Sequence, residues 1–319
     1  MKIIVLGSEL QQKHKDMIRK TVTEVKTKLC FAKSEEDIPA EFADAEVLYG
    51  YGKKTVAQNK NLKWLCVPSA GVEYLLRPGI FANQDCLITN SAGAYGVSIA
   101  EHIVMVSLMM MRQMTIVYRK TISGEWGERL PQRSLKDCRI TVLGTGDIGR
   151  TFAQRAKVFE PKSMVGVCRS GICKESIFDQ IYKTEELDEV LAHTDLLVMS
   201  LPNTKETQGI LSRERLGLLP QGAYIVNVGR GSAIDEEALA DSLDAGRLAG
   251  AALDVFVTEP LPSDSRLWNT KNLLITPHVA GNLTLGYTLD KNVEMFCEDL
   301  IRYMNGQPLT YAIDKQRGY

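Results

Sequence analysis

The 319-residue chain has no apolar run able to span a bilayer. A span needs about 20 nearly uninterrupted apolar residues, and the most apolar stretch, Ile99 to Arg119, is broken by Glu101, His102, Arg112 and Gln113. An excess of charge is also missing: 38 Lys and Arg stand against 39 Asp and Glu, so no broad positive field draws nucleic acid or a membrane surface, and any anion site must be local. The seven cysteines (Cys30, Cys66, Cys86, Cys138, Cys168, Cys173 and Cys297) lack metal-ligand spacing and cannot all pair, as expected of reduced thiols in the cytoplasm. The opening run Lys2-Ile3-Ile4-Val5-Leu6 reaches polar Glu9 and Gln11 before a signal-peptide core forms, which also points to a cytoplasmic protein. No self-similar period or low-complexity tract is visible, which argues against a repeat array.

What is present is the balance of a soluble globular protein, 45% apolar and 24% charged, in a chain long enough for two domains of about 100 to 200 residues each. Short apolar runs alternate with helical stretches, the pattern of parallel α/β sheets. Strands are predicted at 2–6, 46–49, 63–67 and 85–89, then in a second, longer series at 139–143, 163–168, 195–200, 223–228, 249–253 and 273–276. Between the series, Ile99 to Arg119 reads as one helix, apolar on most sides and rich in methionine. Such a helix must be covered on several faces, and a homodimer is the expected cover, with an internal helix of a monomer as the alternative.

Arg139-Ile140-Thr141-Val142-Leu143 runs into Gly144-Thr145-Gly146-Asp147-Ile148-Gly149, a strand feeding a G-x-G-x-x-G turn and then a helix. The first glycine permits the tight turn, the second lets a pyrophosphate approach the backbone, and the third lets helix and strand pack closely. Dinucleotide binding follows, with phosphates at the helix N-terminus. The next strand ends in Cys168-Arg169-Ser170, where an NAD site usually offers a carboxylate to the ribose 2′-hydroxyl. The acid is missing here. A neutral Cys168 removes repulsion against a 2′-phosphate, and Arg169 with Ser170 supplies charge and hydrogen bonds, so NADP(H) is the preferred cofactor, with NAD possible if Arg169 only stacks on the adenine.

Three later segments each end a predicted strand: Asn227-Val228-Gly229-Arg230-Gly231, Asp254-Val255-Phe256 leading to Glu259-Pro260, and Thr276-Pro277-His278-Val279-Ala280. Ligands of open α/β sheets bind at the carboxyl ends of strands, so these positions converge. The Arg in N-x-G-R-G, the Glu shortly after D-V-F and the His in T-P-H-x-A resemble the signatures of the D-isomer-specific 2-hydroxyacid dehydrogenases, which implies reduction of a 2-keto acid. That reaction needs a cation for the carboxylate and carbonyl, which suits the planar guanidinium of Arg230. The alkoxide formed must receive a proton, which suits His278, and a carboxylate such as Glu259 orients the imidazole and favours its charged form.

In these motifs, and along essentially its whole length, the sequence resembles the D-isomer-specific 2-hydroxyacid dehydrogenases. The resemblance implies a Rossmann doubly wound parallel sheet plus a flavodoxin-like α/β substrate domain. The substrate domain would be discontinuous, residues 1–98 and 290–319, around a dinucleotide-binding domain of 99–289, with the last helix at Leu289 to Met304. It further implies that N–H groups of Ala70, Gly71 and Val72 cradle the substrate carboxylate. Asp254 would contact the nicotinamide amide, and Leu201, Pro202 and Asn203, with Val228 and Gly229, would line the cofactor groove. The implied activity is reduction of glyoxylate, hydroxypyruvate, pyruvate or a bulkier 2-keto acid. The rival is a cofactor-sensing binding protein of the same shape with little turnover. Formate dehydrogenases lack an acid beside the histidine, so Glu259 argues against that branch, and the long C-terminal domain of many phosphoglycerate dehydrogenases is not in this sequence. His14 and His193 read as solvated, His102 as a packing or interface residue, and Trp268 as either one wall of the substrate pocket or loop packing; no metal is expected.

Overall fold

Apolar runs form most strands of two parallel sheets, and the strands nearest each sheet's centre are buried on both faces, as strands covered by helices are. The structure, a computed structural model, describes residues 1–23, 26–173 and 176–315. It divides into two compact units, Met1–Tyr95 with Asn282–Tyr319, and Gly96–Gly281.

In the first unit β1 (Lys2–Leu6), β2 (Lys28–Ala32), β3 (Val47–Tyr49), β4 (Trp64–Cys66) and β5 (Leu87–Thr89) pair in the order β2-β1-β3-β4-β5. That is the flavodoxin-like order. The helix Gly286–Met304 completes its core, setting Phe296 against Tyr49 at 4.9 Å and against Trp64 at 5.3 Å between ring centroids. Asp299, buried on this helix, accepts the N–H groups of Thr310 and Tyr311 and so fastens the segment that follows. His14 is buried rather than solvated: its Nδ1 accepts the Gln11 N–H at 3.1 Å, which leaves Nε2–H to donate to Asp290 at 2.7 Å.

The second unit holds β6 (Arg139–Leu143), β7 (Ser163–Cys168), β8 (Gln180–Lys183), β9 (Leu196–Met199), β10 (Tyr224–Asn227), β11 (Gly250–Leu253) and β12 (Leu273–Ile275) in the order β12-β11-β10-β9-β6-β7-β8. This is the doubly wound dinucleotide-binding order with a seventh strand added, and its switch point lies between β6 and β9. A single cluster of buried aliphatic side chains, among them Leu143, Leu197, Ile225 and Leu253, packs one face of the sheet.

The structure corrects the sequence reading in three further places. The edge strands β2 and β8 were not predicted: β8 (Gln-Ile-Tyr-Lys) has no buried residue, so it carries no apolar run to recognise. The expected single helix is two, Gly96–Met111 and Met114–Ile122, parted where Gln113 takes the left-handed conformation at φ 52°. The division between units falls at 95/96 and 281/282 instead of 98/99 and 289/290, because Gly96 already opens the helix that packs along the helix Asp147–Ala156. Residues 316–319 of the expected second segment lie outside the described residues. The seven cysteines are free. Among the described residues no helix is long and apolar enough to cross a membrane.

Candidate active site

The fingerprint turn connects β6 to the helix Asp147–Ala156, and each glycine has its own steric reason. Gly144 lies at φ 103°, where a Cβ would also meet the Ser200 carbonyl oxygen at 2.9 Å. At Gly146, the N-cap, a Cβ would meet nothing within 4 Å, so backbone there faces open space. A Cβ on Gly149 would sit 2.0 Å from the Gly144 carbonyl oxygen, so helix and turn touch only because that residue has no side chain. Thr145 and Ile148 lie partly buried in the same turn. Asp147 points its carboxylate at Gly96, whose Cβ position is 2.5 Å from Oδ2. Burial pushes this carboxyl up, against a hydrogen bond from the Gly96 backbone, so the side chain buttresses the neighbouring helix.

At the end of β7, Cys168 is partly buried while Arg169 and Ser170 are exposed. Burial raises the Cys168 thiol, but hydrogen bonding from Thr145, Ser170 and the backbone of Ile172 and Gly171 outweighs it and holds the thiol below its ordinary value. After β9, the Pro202 carbonyl accepts from Thr207 at 2.7 Å and the Asn203 side chain accepts from Ser232 at 3.0 Å, which ties this loop to the one after β10. Gly229 presses on the same loop, its Cβ position lying 2.7 Å from the Leu201 backbone nitrogen and oxygen.

The loop after β10 is folded by buried Asn227, which accepts the Gly229 N–H at 3.0 Å and donates to the Arg230 carbonyl at 2.9 Å. Val228 is buried beneath it, and partly buried Arg230 donates to the Gly229 carbonyl at 2.7 Å. Contact with the next loop is direct, since a Cβ on Gly231 would lie 1.9 Å from the Phe256 carbonyl carbon. In that next loop Glu259 accepts the Phe256 N–H on Oε1 at 2.9 Å and the His278 Nδ1–H on Oε2 at 2.7 Å. The imidazole Nε2 is thereby left for a reacting group, and His278 is half exposed.

Asp254, which the sequence reading sets at the nicotinamide amide, has a further role in the histidine loop that the sequence did not reveal. It is buried, and the carboxylate expected at the nicotinamide amide is engaged by three donors of the following loop: Thr276 Oγ1–H at 2.6 Å, the Val279 N–H at 2.9 Å and the Ala280 N–H at 3.0 Å. Its own carbonyl accepts the His278 N–H at 2.9 Å. His278 sits at φ 53° inside this wrap. Because the Thr276 hydrogen points at Asp254, His102 Nε2–H is the donor in the 3.3 Å contact to Thr276, and burial holds His102 below its usual range against the pull of Asp254. Trp268 donates to the Pro262 carbonyl at 2.8 Å, which packs its own loop. His193 is exposed.

In the first unit, the loop of Ala70, Gly71 and Val72 is held through carbonyls: Ala70 accepts from Asn90 at 2.7 Å and Gly71 from Ser69 at 3.0 Å. Among the described residues, the N–H groups of these three take no part in the backbone hydrogen bonds that shape the loop. Among the described residues no group of three or more His, Cys, Asp or Glu is placed to hold a metal ion.

A family model of the D-isomer specific 2-hydroxyacid dehydrogenase NAD binding domain matches residues 104–280. The crystal structure of a D-isomer specific 2-hydroxyacid dehydrogenase family protein from Aeromonas salmonicida is 32% identical and covers 98% of this chain and 99% of its own, with a TM-score of 0.86. A D-isomer specific 2-hydroxyacid dehydrogenase from Xanthobacter autotrophicus, solved with NADPH and MES, is 28% identical over 99% of both chains, with a TM-score of 0.80. Glyoxylate/hydroxypyruvate reductase A from Salmonella newport is 32% identical over 199 residues, which span 60% of this chain and 59% of that reductase. A turn that fits a dinucleotide, an acid-backed imidazole and an arginine on adjoining strand ends, and these matches lead to one conclusion: the chain belongs to the D-isomer specific 2-hydroxyacid dehydrogenase family, whose members are NAD(P)-dependent oxidoreductases.

Proposed function

We propose that the protein reduces a small 2-keto acid to the D-2-hydroxy acid, with NADPH as the preferred reductant and NADH as a poorer one. The observation that carries this reading is the 2.7 Å hydrogen bond from His278 Nδ1 to Glu259, in a loop that touches the one bearing Arg230. The open space at Gly146, before the N-terminus of the helix Asp147–Ala156, fits a pyrophosphate. Residues 144–149 would hold it, with Leu201, Pro202, Asn203, Val228 and Gly229 along the rest of the groove. When bound, the nicotinamide supplies the hydride.

The chain's own residues do the remainder. Arg230 holds the substrate carboxylate and draws electron density from the carbonyl oxygen. His278 delivers a proton from Nε2 to that oxygen, and Glu259, accepting from Nδ1, orients the ring so that Nε2 faces the reacting group. Asp254 keeps the histidine loop in place. Likeness to a glyoxylate/hydroxypyruvate reductase over part of its length supports glyoxylate and hydroxypyruvate as the first substrates to test, with pyruvate and a bulkier 2-keto acid beside them.

NADPH is favoured by the missing carboxylate after β7, by exposed Arg169 and Ser170, and by the relative that was solved with NADPH. A homodimer is favoured by the helix pair 96–122, which leaves Met105, Met114, Tyr118 and Ile122 exposed, followed by fully exposed Trp126.

Three outcomes are expected. His278→Ala lowers kcat by about 10²–10⁴-fold, the usual worth of a general acid, while NADPH still binds in a fluorescence titration; wild-type turnover in this variant rejects the proton-donor role. Cys168→Asp places a carboxylate at the 2′-position and shifts the ratio of kcat/KM for NADPH over NADH towards NADH by about tenfold or more, equal to roughly 1.4 kcal/mol. A wild-type enzyme with the lower KM for NADH contradicts the NADPH assignment. Light scattering at micromolar concentration gives the mass of two chains, and the mass of one chain refutes the dimer.

A further inference from the structure

Three consecutive acids open the helix Glu236–Asp244, and two of them serve the helix and its immediate surroundings. Asp235 is the N-cap and accepts the Ala238 N–H at 2.9 Å, while Glu237 meets Arg266 at 3.0 Å. Glu236 turns elsewhere. Its Oε1 accepts the N–H of Val257 at 2.8 Å, across 21 positions of sequence. The preceding N–H, that of Phe256, is held by Glu259 at 2.9 Å, so two carboxylates fix successive amides of one turn. The Gly231 backbone presses on the same turn, at the carbonyl carbon of Phe256.

This placement has a cost that a solvated helix-end acid avoids. Glu236 is partly buried, and burial pushes its carboxyl up, with Glu237 and Glu259 adding to the rise and the Val257 N–H opposing it. A like charge beside a half-buried carboxylate is unfavourable, yet the capping that the helix needs is already met by Asp235. The contact that remains to account for Glu236 is the one to the turn before Glu259.

We propose that Glu236 is a positioning residue for the acid–imidazole pair: by holding the Val257 N–H it fixes the turn from which Glu259 reaches His278. This rests on the reading of Glu259 and His278 given above. Misplacing a reacting group by about 1 Å costs on the order of 10²-fold in rate, so a looser turn acts on kcat and leaves nucleotide and keto-acid binding largely intact.

The test compares Glu236→Ala with Glu236→Gln, whose amide oxygen accepts the same N–H without the charge. Glu236→Ala should lower kcat about tenfold or more with both KM values within about twofold, and Glu236→Gln should keep kcat within about threefold. A helix-end charge effect groups them differently, because both substitutions remove the charge. Equal losses in the two variants, or wild-type kcat in Glu236→Ala, overturn the proposal. If Glu236→Ala does not fold, a tenfold loss in Glu236→Gln overturns it. Hydrogen exchange gives a readout that needs no turnover: the Phe256 and Val257 amides lose protection in Glu236→Ala and keep it in Glu236→Gln. If the wild-type chain reduces no 2-keto acid, the catalytic reading fails, and the exchange data still decide whether Glu236 braces the turn.

Discussion

The carboxylate of Asp254 is the constraint from which the rest of the site is built. It is buried at the end of β11, and a buried charge is tolerated only when its hydrogen-bonding capacity is met. It meets that need with Thr276, Val279 and Ala280, and so wraps the loop after β12 around itself. His278 is carried within the wrap at a left-handed backbone angle, a conformation that costs a non-glycine residue about 1–3 kcal/mol and persists where surrounding bonds over-determine it. The ring then meets Glu259 from the neighbouring loop. A parallel sheet puts all its carboxyl ends on one side, which is why loops separated by dozens of residues meet there.

Close backbone contact is the second theme. Gly144 against Ser200, Gly229 against Leu201 and Gly231 against Phe256 are close backbone approaches that a side chain would obstruct, and they lock the fingerprint, the loop after β9, the arginine loop and the glutamate loop in series. Polar ties such as Ser232 to Asn203 reinforce the series. Arg230 and Glu259 are thus set by backbone packing in addition to their own hydrogen bonds.

Much of this was legible in the sequence, for reasons that can be traced. Buried strands of parallel sheets are continuous apolar runs, so β6, β7, β9, β10 and β11 stand out, whereas edge strand β8 is exposed enough to look like loop. The three glycines of the fingerprint announce their spacing, and the structure gives each the steric reason that the motif implies. The break at Gln113 was hidden because Met110, Met111 and Met114 continue the apolar pattern across it. His14 looked solvated beside Lys13, Lys15 and Asp16, and its burial depends on Asp290, a partner 276 residues away. The engagement of Asp254 with the histidine loop, and of Glu236 with the glutamate loop, left no local pattern, since each depends on which strand end lies next door.

The central claim is that Arg230, Glu259 and His278 together direct reduction at C2 of a 2-keto acid. Its most direct test uses hydroxypyruvate or glyoxylate with NADPH deuterated at the transferred position of C4, and analyses the product by mass spectrometry and, for hydroxypyruvate, by chiral chromatography. The account predicts one deuterium at C2 of the product and the D-enantiomer from hydroxypyruvate; unlabelled product, or the L-enantiomer, would contradict it.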